Sequence, residues 1–373
     1  MAKQNFRFYD NRQKYLMFVN TCSEKWVVAQ RLAHELDNIR PKPPALRFFY
    51  AGVGDGTVLS RFLRVMHRRF ERLPFYIAAK EISLEDIRLT LDKMPDRFFE
   101  HPEMVLALTN LPYADAPWLL ARGSAKPVVW KEVALSGSTA ADFERQILEL
   151  QPFLADHWRT RVSEKTGVLL PETPTVLVLY REDCRFILDQ VIPREGAAKA
   201  DFDLVLASQP FRLRAETRFK AGRVLAPLAR ALGPGGRMLG IHSAGHDPGH
   251  EIVRRVWPDE DPFTTPGKAM LDAVRDALGA EASGFAFEPA SGEPLRYQMH
   301  TLPDEIDSEE ALIGTSTLLA AWNAATYVAQ IEDDRLSQAM SNSGYLDATR
   351  AVLRKHGALW FDDESYLIVR KPT

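Results

Sequence analysis

"ALRFFYAGVGDGTVLSRFLRVMHRRF", residues 45–70, decides the fold. An apolar run ends at three alternating glycines, Gly52, Gly54 and Gly56, and an amphipathic stretch with helical spacing follows. That order reads as strand, tight loop, helix. Glycines at such a junction let the backbone approach a ligand closely, and the start of the helix offers free amides. The same pattern also makes a plain tight turn, so its meaning depends on what surrounds it.

Downstream, the pattern repeats. "FYIAA" (75–79) is a second strand closed by Lys80-Glu81, and "SLEDIRLTLDKM" (83–94) opens a helix with Ser83 as N-cap and Asp86 three residues on. "MVLALT" (104–109) is a third strand and "FDLVLAS" (202–208) a fourth. The helix "FKAGRVLAPLARAL" (219–232) and the turn "GPGG" (233–236) lead into a fifth strand, "RMLGIHS" (237–243). Strands alternating with helices imply right-handed crossovers and a doubly wound, mostly parallel sheet covered on both faces. The expected fold is therefore α/β and Rossmann-like, with seven strands.

Three regions lie outside this alternation. Residues 1–44 read as an N-terminal helical lid ended by the breaker "RPKPPA" (40–45). Residues 117–200 carry "PVVWKEVAL", "TVLVLYRED" and "RFILDQVI" around a helical "ADFERQILELQPFLADHW", an expected inserted α+β substrate or cap subdomain. Residues 308–356 read as a helical insertion before the last strand, "SYLIVRK". The main domain is thus expected over 45–116 and 201–373.

The chain has 373 residues, 46% hydrophobic and 26% charged, with net charge −3, an ordinary globular composition. A dedicated nucleic-acid binder carries a basic excess, which is absent here. Two cysteines, Cys22 and Cys184, build neither a disulfide framework nor a cysteine-rich zinc site. No apolar run reaches the ~20 residues that span a bilayer, and no signal pattern opens the chain. A cytoplasmic setting is expected.

Glu81 closes the second strand 29 residues after Gly52. In dinucleotide-type folds an acid at that place accepts both hydroxyls of a ribose. The segments "RFFYAGVGDGTVLSRFL", "IAAKEISLEDI", "LALTN", "DFDLVLASQPF" and "LAPLARALGPGGRML" together resemble the class I S-adenosylmethionine-dependent methyltransferases in order and spacing. The resemblance covers about residues 45–113 and 200–243. It implies S-adenosyl-L-methionine as cofactor and S-adenosylhomocysteine as product. Gly52, Gly54 and Gly56 would line the methionine half, Glu81 would hold the ribose, and Ile82 would pack on the adenine. Asn110, with Leu111 after it, would sit at the adenine edge, and Ser208 near the methyl. One position departs from the family: its usual acid two before the first glycine is Tyr50 here, so the methionine ammonium would need another partner, for which Asp55 is the candidate.

"NLPY", residues 110–113, looks like the motif with which adenine-amine methyltransferases hold their target base. In those enzymes it closes the fourth strand, whereas Asn110 closes the third. The fourth-strand place holds Ser208-Gln209-Pro210-Phe211, where Gln209 and Phe211 either meet a planar substrate or simply lead the chain back into the core.

His242, His246 and His250 are spaced by four, but Gly245, Pro248 and Gly249 interrupt any helix that would align them, so no metal is expected. His242 follows the fifth strand at the mouth of the sheet and is the candidate general base, or else an ordinary loop histidine. Trp118, His300 and Trp322 are substrate-pocket candidates, although residues of these kinds are more often core. The function expected is methylation of a nitrogen or oxygen on a small molecule. RNA or protein methylation, aminopropyl transfer and a non-catalytic S-adenosylmethionine-binding module are the alternatives. The partners expected are a small-molecule substrate and a second copy in a homodimer, with neither nucleic acid nor membrane.

Overall fold

The computed structural model describes residues 12–122, 124, 126–163, 169–289, 293–300 and 313–372. The first eleven residues of the expected lid, and 308–312 of the expected helical insertion, lie outside these. The strands are β1 (Leu46–Ala51), β2 (Phe75–Lys80), β3 (Met104–Thr109), β4 (Val129–Leu135), β5 (Thr160–Val162), β6 (Leu169–Pro171), β7 (Thr175–Arg181), β8 (Phe202–Ser208), β9 (Leu232–Ser243), β10 (Phe285–Glu288), β11 (Leu295–Gln298) and β12 (Trp360–Arg370).

Ten of them form one sheet in the order β10-β12-β9-β8-β1-β2-β3-β7-β4, with β11 also on β12. From β3 through β2, β1 and β8 to β9 every pairing is parallel. β12 returns antiparallel beside β9. The chain winds one way from β1 to β3 and the other way from β8 to β9, so the direction reverses between β1 and β8. At such a switch point the carboxyl ends of the strands open a crevice where open α/β sheets bind ligands. The fold is Rossmann-like and doubly wound, and its sheet is wider than seven strands.

The extra width comes from residues 117–200. β7 pairs antiparallel with β3, and β4 pairs parallel with β7. All seven residues of β7 are buried, and a strand buried on both faces needs a neighbour on each side. It finds them by extending the central sheet. Phe143, Ile147 and Leu154, from the helices Ala140–Leu148 and Gln151–His157, and Trp158 just after them pack into the same core as β1 and β2. The segment therefore shares the main core instead of building its own.

Two cores sandwich the sheet. A third joins the N-terminal helix Arg12–Thr21 to the C-terminal helices Thr315–Val328 and Gly344–His356 and to Pro248–Val256. Within it the tilted rings of Phe18 and Tyr327 lie 4.9 Å apart, and Asn323 Nδ2 donates to Lys14 O at 3.0 Å. The described N-terminal helix thus meets the C-terminal helices, and its Tyr15 reaches the loop at the carboxyl end of β1.

All three loop glycines adopt positive φ, +86° at Gly52, +58° at Gly54 and +77° at Gly56. Gly56 is the tightest, since a Cβ there would stand 2.7 Å from Thr90 Cα. Gly56→Ala combines backbone strain with a clash against backbone, each worth about 1 kcal/mol or more. Thermal unfolding of this variant should show a melting point lowered by several degrees; an unchanged one would mean that the loop relaxes freely.

Candidate functional site

Glu81 stands buried at the carboxyl end of β2, beside the switch point. Its Oε2 accepts from Gly54 N at 2.9 Å, and its Oε1 from Ile82 N at 2.7 Å and Ser83 N at 3.0 Å. One carboxylate thus ties the glycine loop to the start of the next helix, where Ser83 Oγ caps by accepting from Asp86 N at 3.2 Å. Trp158 Nε1 donates to Glu81 O at 2.9 Å, so the 117–200 segment also holds this residue in place. Ile82 beside it is half-buried.

The N-terminal helix covers the loop. Tyr15 Oη donates to Asp55 Oδ1 at 3.1 Å and accepts from Asp55 N at 3.3 Å. A Cβ on Gly54 would stand 3.0 Å from that hydroxyl. Asp55, the expected partner of an ammonium, is already engaged by Tyr15, by Thr57 N and Oγ1, and by Lys93 Nζ at 3.5 Å. Burial alone would raise its carboxyl, but the Lys25 ammonium, Thr57 and Lys93 hold it below the usual carboxylate range. It is a clamp on the loop, not an open acceptor. Tyr50 is buried, and desolvation pushes its hydroxyl above the ordinary value, so it stays neutral and supplies no charge.

Asn110, the expected adenine-edge residue, is turned toward the inserted segment. It is 1% exposed, and its carboxamide is spent on the 117–200 segment. Oδ1 accepts from Thr175 N at 2.8 Å, and Nδ2 donates to Thr173 O at 2.9 Å and His157 O at 3.2 Å. Both Nδ2 protons are thus committed, and the second lone pair of Oδ1 is the only spare valence of the carboxamide. Leu111 is likewise wholly buried core. Tyr113 is the member of the tetrapeptide that reaches the site: Lys80 Nζ lies 4.7 Å from its ring centroid, and a Cβ on Gly52 would be 3.6 Å from its hydroxyl.

At the end of β8, Ser208 is half-buried and faces the same side of the sheet as Leu206 and Tyr50. Gln209 is forced to φ +49°, and its Nε2 donates to Ser243 Oγ at 2.6 Å. Phe211 turns inward and is 7% exposed, so the core reading holds for it.

His242 points to the opposite side, between the rings of Phe211 at 6.4 Å and Tyr366 at 5.6 Å. It is 3% exposed, with Glu364 at 3.8 Å and neither ring nitrogen hydrogen-bonded among the described residues. Burial pulls its pKa down to about 4, with Lys220 lowering it further, against smaller raising effects from Glu364 and from the backbone of Thr265, which lies near the ring without meeting hydrogen-bond geometry. A ring so placed is a core group and not a base beside Ser208. His246 lies in the loop and His250 in the first turn of the following helix, its Nε2 at 3.2 Å from Glu260 O. No set of three metal ligands forms among the described residues.

Trp322 is core as well, stacked at 5.6 Å on Trp257. Trp118 is half-buried under Arg122, 4.8 Å from its ring. His300 is exposed and lines a cleft of about 620 Å³ with Lys25, Trp26, Thr57 and Arg61. Sequence reasoning missed Tyr15, Lys25, Lys80 and Trp158, and it treated Tyr113 only as part of the tetrapeptide. The Lys80-Glu81 adjacency was the one local hint among them, because Tyr15, Lys25 and Trp158 arrive from distant segments.

No family model matches the sequence, and no curated protein matches it. Solved structures do resemble the fold. They include a geranyl diphosphate methyltransferase in complex with GPP and sinefungin (11% identity, TM-score 0.35, 92% of this chain and 77% of that one). Another is phosphoethanolamine N-methyltransferase 2 of Haemonchus contortus with S-adenosyl-L-methionine (12%, 0.35, 100% of this chain and 61% of that one). A third is an uncharacterized protein of Burkholderia thailandensis (11%, 0.34, 99% and 84%). At such identities and TM-scores these likenesses assign no role to any residue, and the fold class rests on the strand order above.

Two outcomes follow. Asn110→Ala removes three hydrogen bonds from a buried junction and strands their partners, at about 1–3 kcal/mol for each unsatisfied group. Chemical denaturation should show a clear loss of stability, and unchanged stability would contradict the pinning role. For His242, the unfolded ring takes up its proton near pH 6.5 and the folded ring near 4. Its contribution is full above pH 6.5 and is lost as pH falls to 4, on the order of 3 kcal/mol. His101, also lowered by burial to about 4, adds a parallel loss. His242→Leu should therefore flatten the acid side of the stability profile in part; identical profiles would refute the assignment.

Proposed function

We propose that this chain is an S-adenosylmethionine-dependent methyltransferase acting on a nitrogen or oxygen of a small molecule. The observation that carries the reading is the Glu81 carboxylate, set at the end of β2 against a loop of three left-handed glycines at the switch point. Its two oxygens accept three backbone bonds, and a carboxylate has about four lone-pair sites, so acceptor capacity is left for a ribose hydroxyl. Half-buried Ile82 and Tyr113 offer apolar walls for a planar base. The residues fit the cofactor in kind: backbone without side chains at the loop, an acid beside it, and aromatic and aliphatic cover.

S-adenosylmethionine would supply a methyl group already activated by its sulfonium charge. What remains for the protein is orientation and proximity, typically several kcal/mol of the barrier, and exclusion of water. Tyr15 and its helix close over the loop and serve the second task. Ser208, half-buried on the face shared with Tyr50, is the positioning group for the acceptor. No buried base is required for an amine that arrives neutral. The small-molecule choice is supported by the absence of a basic excess, since polynucleotide binding rests on several phosphate contacts.

Calorimetric titration tests the reading. The protein should bind S-adenosylmethionine and S-adenosylhomocysteine, and Glu81→Ala should weaken both at least tenfold. Unchanged affinity in the variant would sink the ribose assignment, and no binding by the wild type would sink the reading itself.

A further inference from the structure

We infer that the cleft between the N-terminal helices and the glycine-loop helix is a recognition subsite for an anionic group, a carboxylate or a phosphate. This rests on the functional reading and adds the chemistry of one ligand group to it. The cleft measures about 620 Å³, within the ~300–1,000 Å³ of small-molecule sites. Lys25, Arg61 and His300 line it, and no acidic residue does among the described residues. Thr57, also in its wall, opens the 13-residue helix Thr57–Arg69, whose amino end carries the positive pole of the helix dipole. Trp26, half of it exposed, supplies an apolar wall.

The charges here are available. Arg61 is exposed and makes no ion pair among the described residues. Lys25 is partly buried, with Glu24 behind it at 3.0 Å. Burial alone would lower its ammonium, but Glu24, Tyr15, Tyr50 and Asp55 raise it well above the ordinary value, so it remains charged. An ammonium has three donors, so the ion pair with Glu24 and the attraction of Asp55 still leave a donor for a ligand. The contrast is the second cleft, about 560 Å³ beside the helix Pro248–Val256. There acids share the wall with the cations: Arg255 and His356 are paired to Glu251, and Arg296 to Asp362, while Arg254 has no ion pair among the described residues. The position of the first cleft matters too. Thr57 is bonded to Asp55 of the glycine loop, and Lys25 acts on the same Asp55. An anion held in it lies next to the proposed cofactor, and is either the methionine carboxylate of that cofactor or an acid group of the acceptor.

The test uses the intact chain and the exposed-residue variant Arg61→Ala/His300→Ala, whose melting point should equal that of the wild type. Inorganic phosphate is titrated by calorimetry at constant ionic strength, with and without saturating S-adenosylhomocysteine. Wild type should bind phosphate, and the double variant about tenfold or more weaker, as expected for lost charge-assisted bonds. If S-adenosylmethionine is weakened in parallel while decarboxylated S-adenosylmethionine is not, the anion is the cofactor's carboxylate. If S-adenosylmethionine is unaffected and phosphate still binds with S-adenosylhomocysteine present, the anion belongs to the acceptor. Phosphate that fails to bind the wild type, or binds both proteins equally, overturns the inference. A wild type that binds phosphate but neither S-adenosyl compound would remove the methyltransferase reading and leave the anion subsite standing.

Discussion

The carboxylate of Glu81 is the contact on which the site depends. It spans from the end of β2 to the amide of Gly54 in the loop after β1, beside the switch point, and also holds the amides of Ile82 and Ser83. Charge-assisted bonds to backbone N–H are roughly twice as strong as neutral ones. Three of them on one side chain fix the loop and the next helix relative to each other. Only glycine, free of a Cβ, follows the loop at positive φ while the helix behind it approaches as closely as Thr90 does to Gly56.

Around that contact, residues far apart in sequence supply the walls. Trp158 reaches Glu81 from the inserted segment, and Tyr15 reaches Asp55 from the N-terminal helix. That helix is in turn held by Tyr327 and Asn323 of the C-terminal helices. The cover over the loop is thus tied to the last third of the chain, and movement of one implies movement of the other. Lys14 and Asp333, 2.7 Å apart at the surface, add little to this coupling, because exposed ion pairs contribute about 0–1 kcal/mol.

Polar groups buried around the sheet separate into two kinds. Those of Glu81, Asp55 and Asn110 are engaged by backbone or neighbours, and they shape the loop and the inserted segment. His242 is the other kind, with both ring nitrogens lacking a hydrogen-bond partner among the described residues and its proton affinity lowered by desolvation. Such a group costs stability when charged and so makes the fold sensitive to acid. Lys220, on the same side of the sheet, is also lowered by burial, to about 8.

The periodic alternation of apolar strands and amphipathic helices was enough, by itself, to determine the parallel core. β1, β2, β3 and β8 lie where the apolar runs place them, because burial on both faces demands continuous apolar strands, while β9 starts earlier than 237, at Leu232, and takes in the 233–236 stretch expected as a turn. The positions of the glycine loop and Glu81 were legible for the same local reason: each sits at the end of such a run. What only the tertiary structure decided is which polar atoms remain available. Asn110 and Glu81 both close a strand, yet one is consumed by Thr173 and Thr175 and the other faces the loop. His242 and Ser208 both end strands at the mouth, yet the two-residue alternation of side chains sends them to opposite faces. Tyr15, Lys25 and Trp158 could not be found from sequence, since their roles come from long-range packing and not from any local pattern.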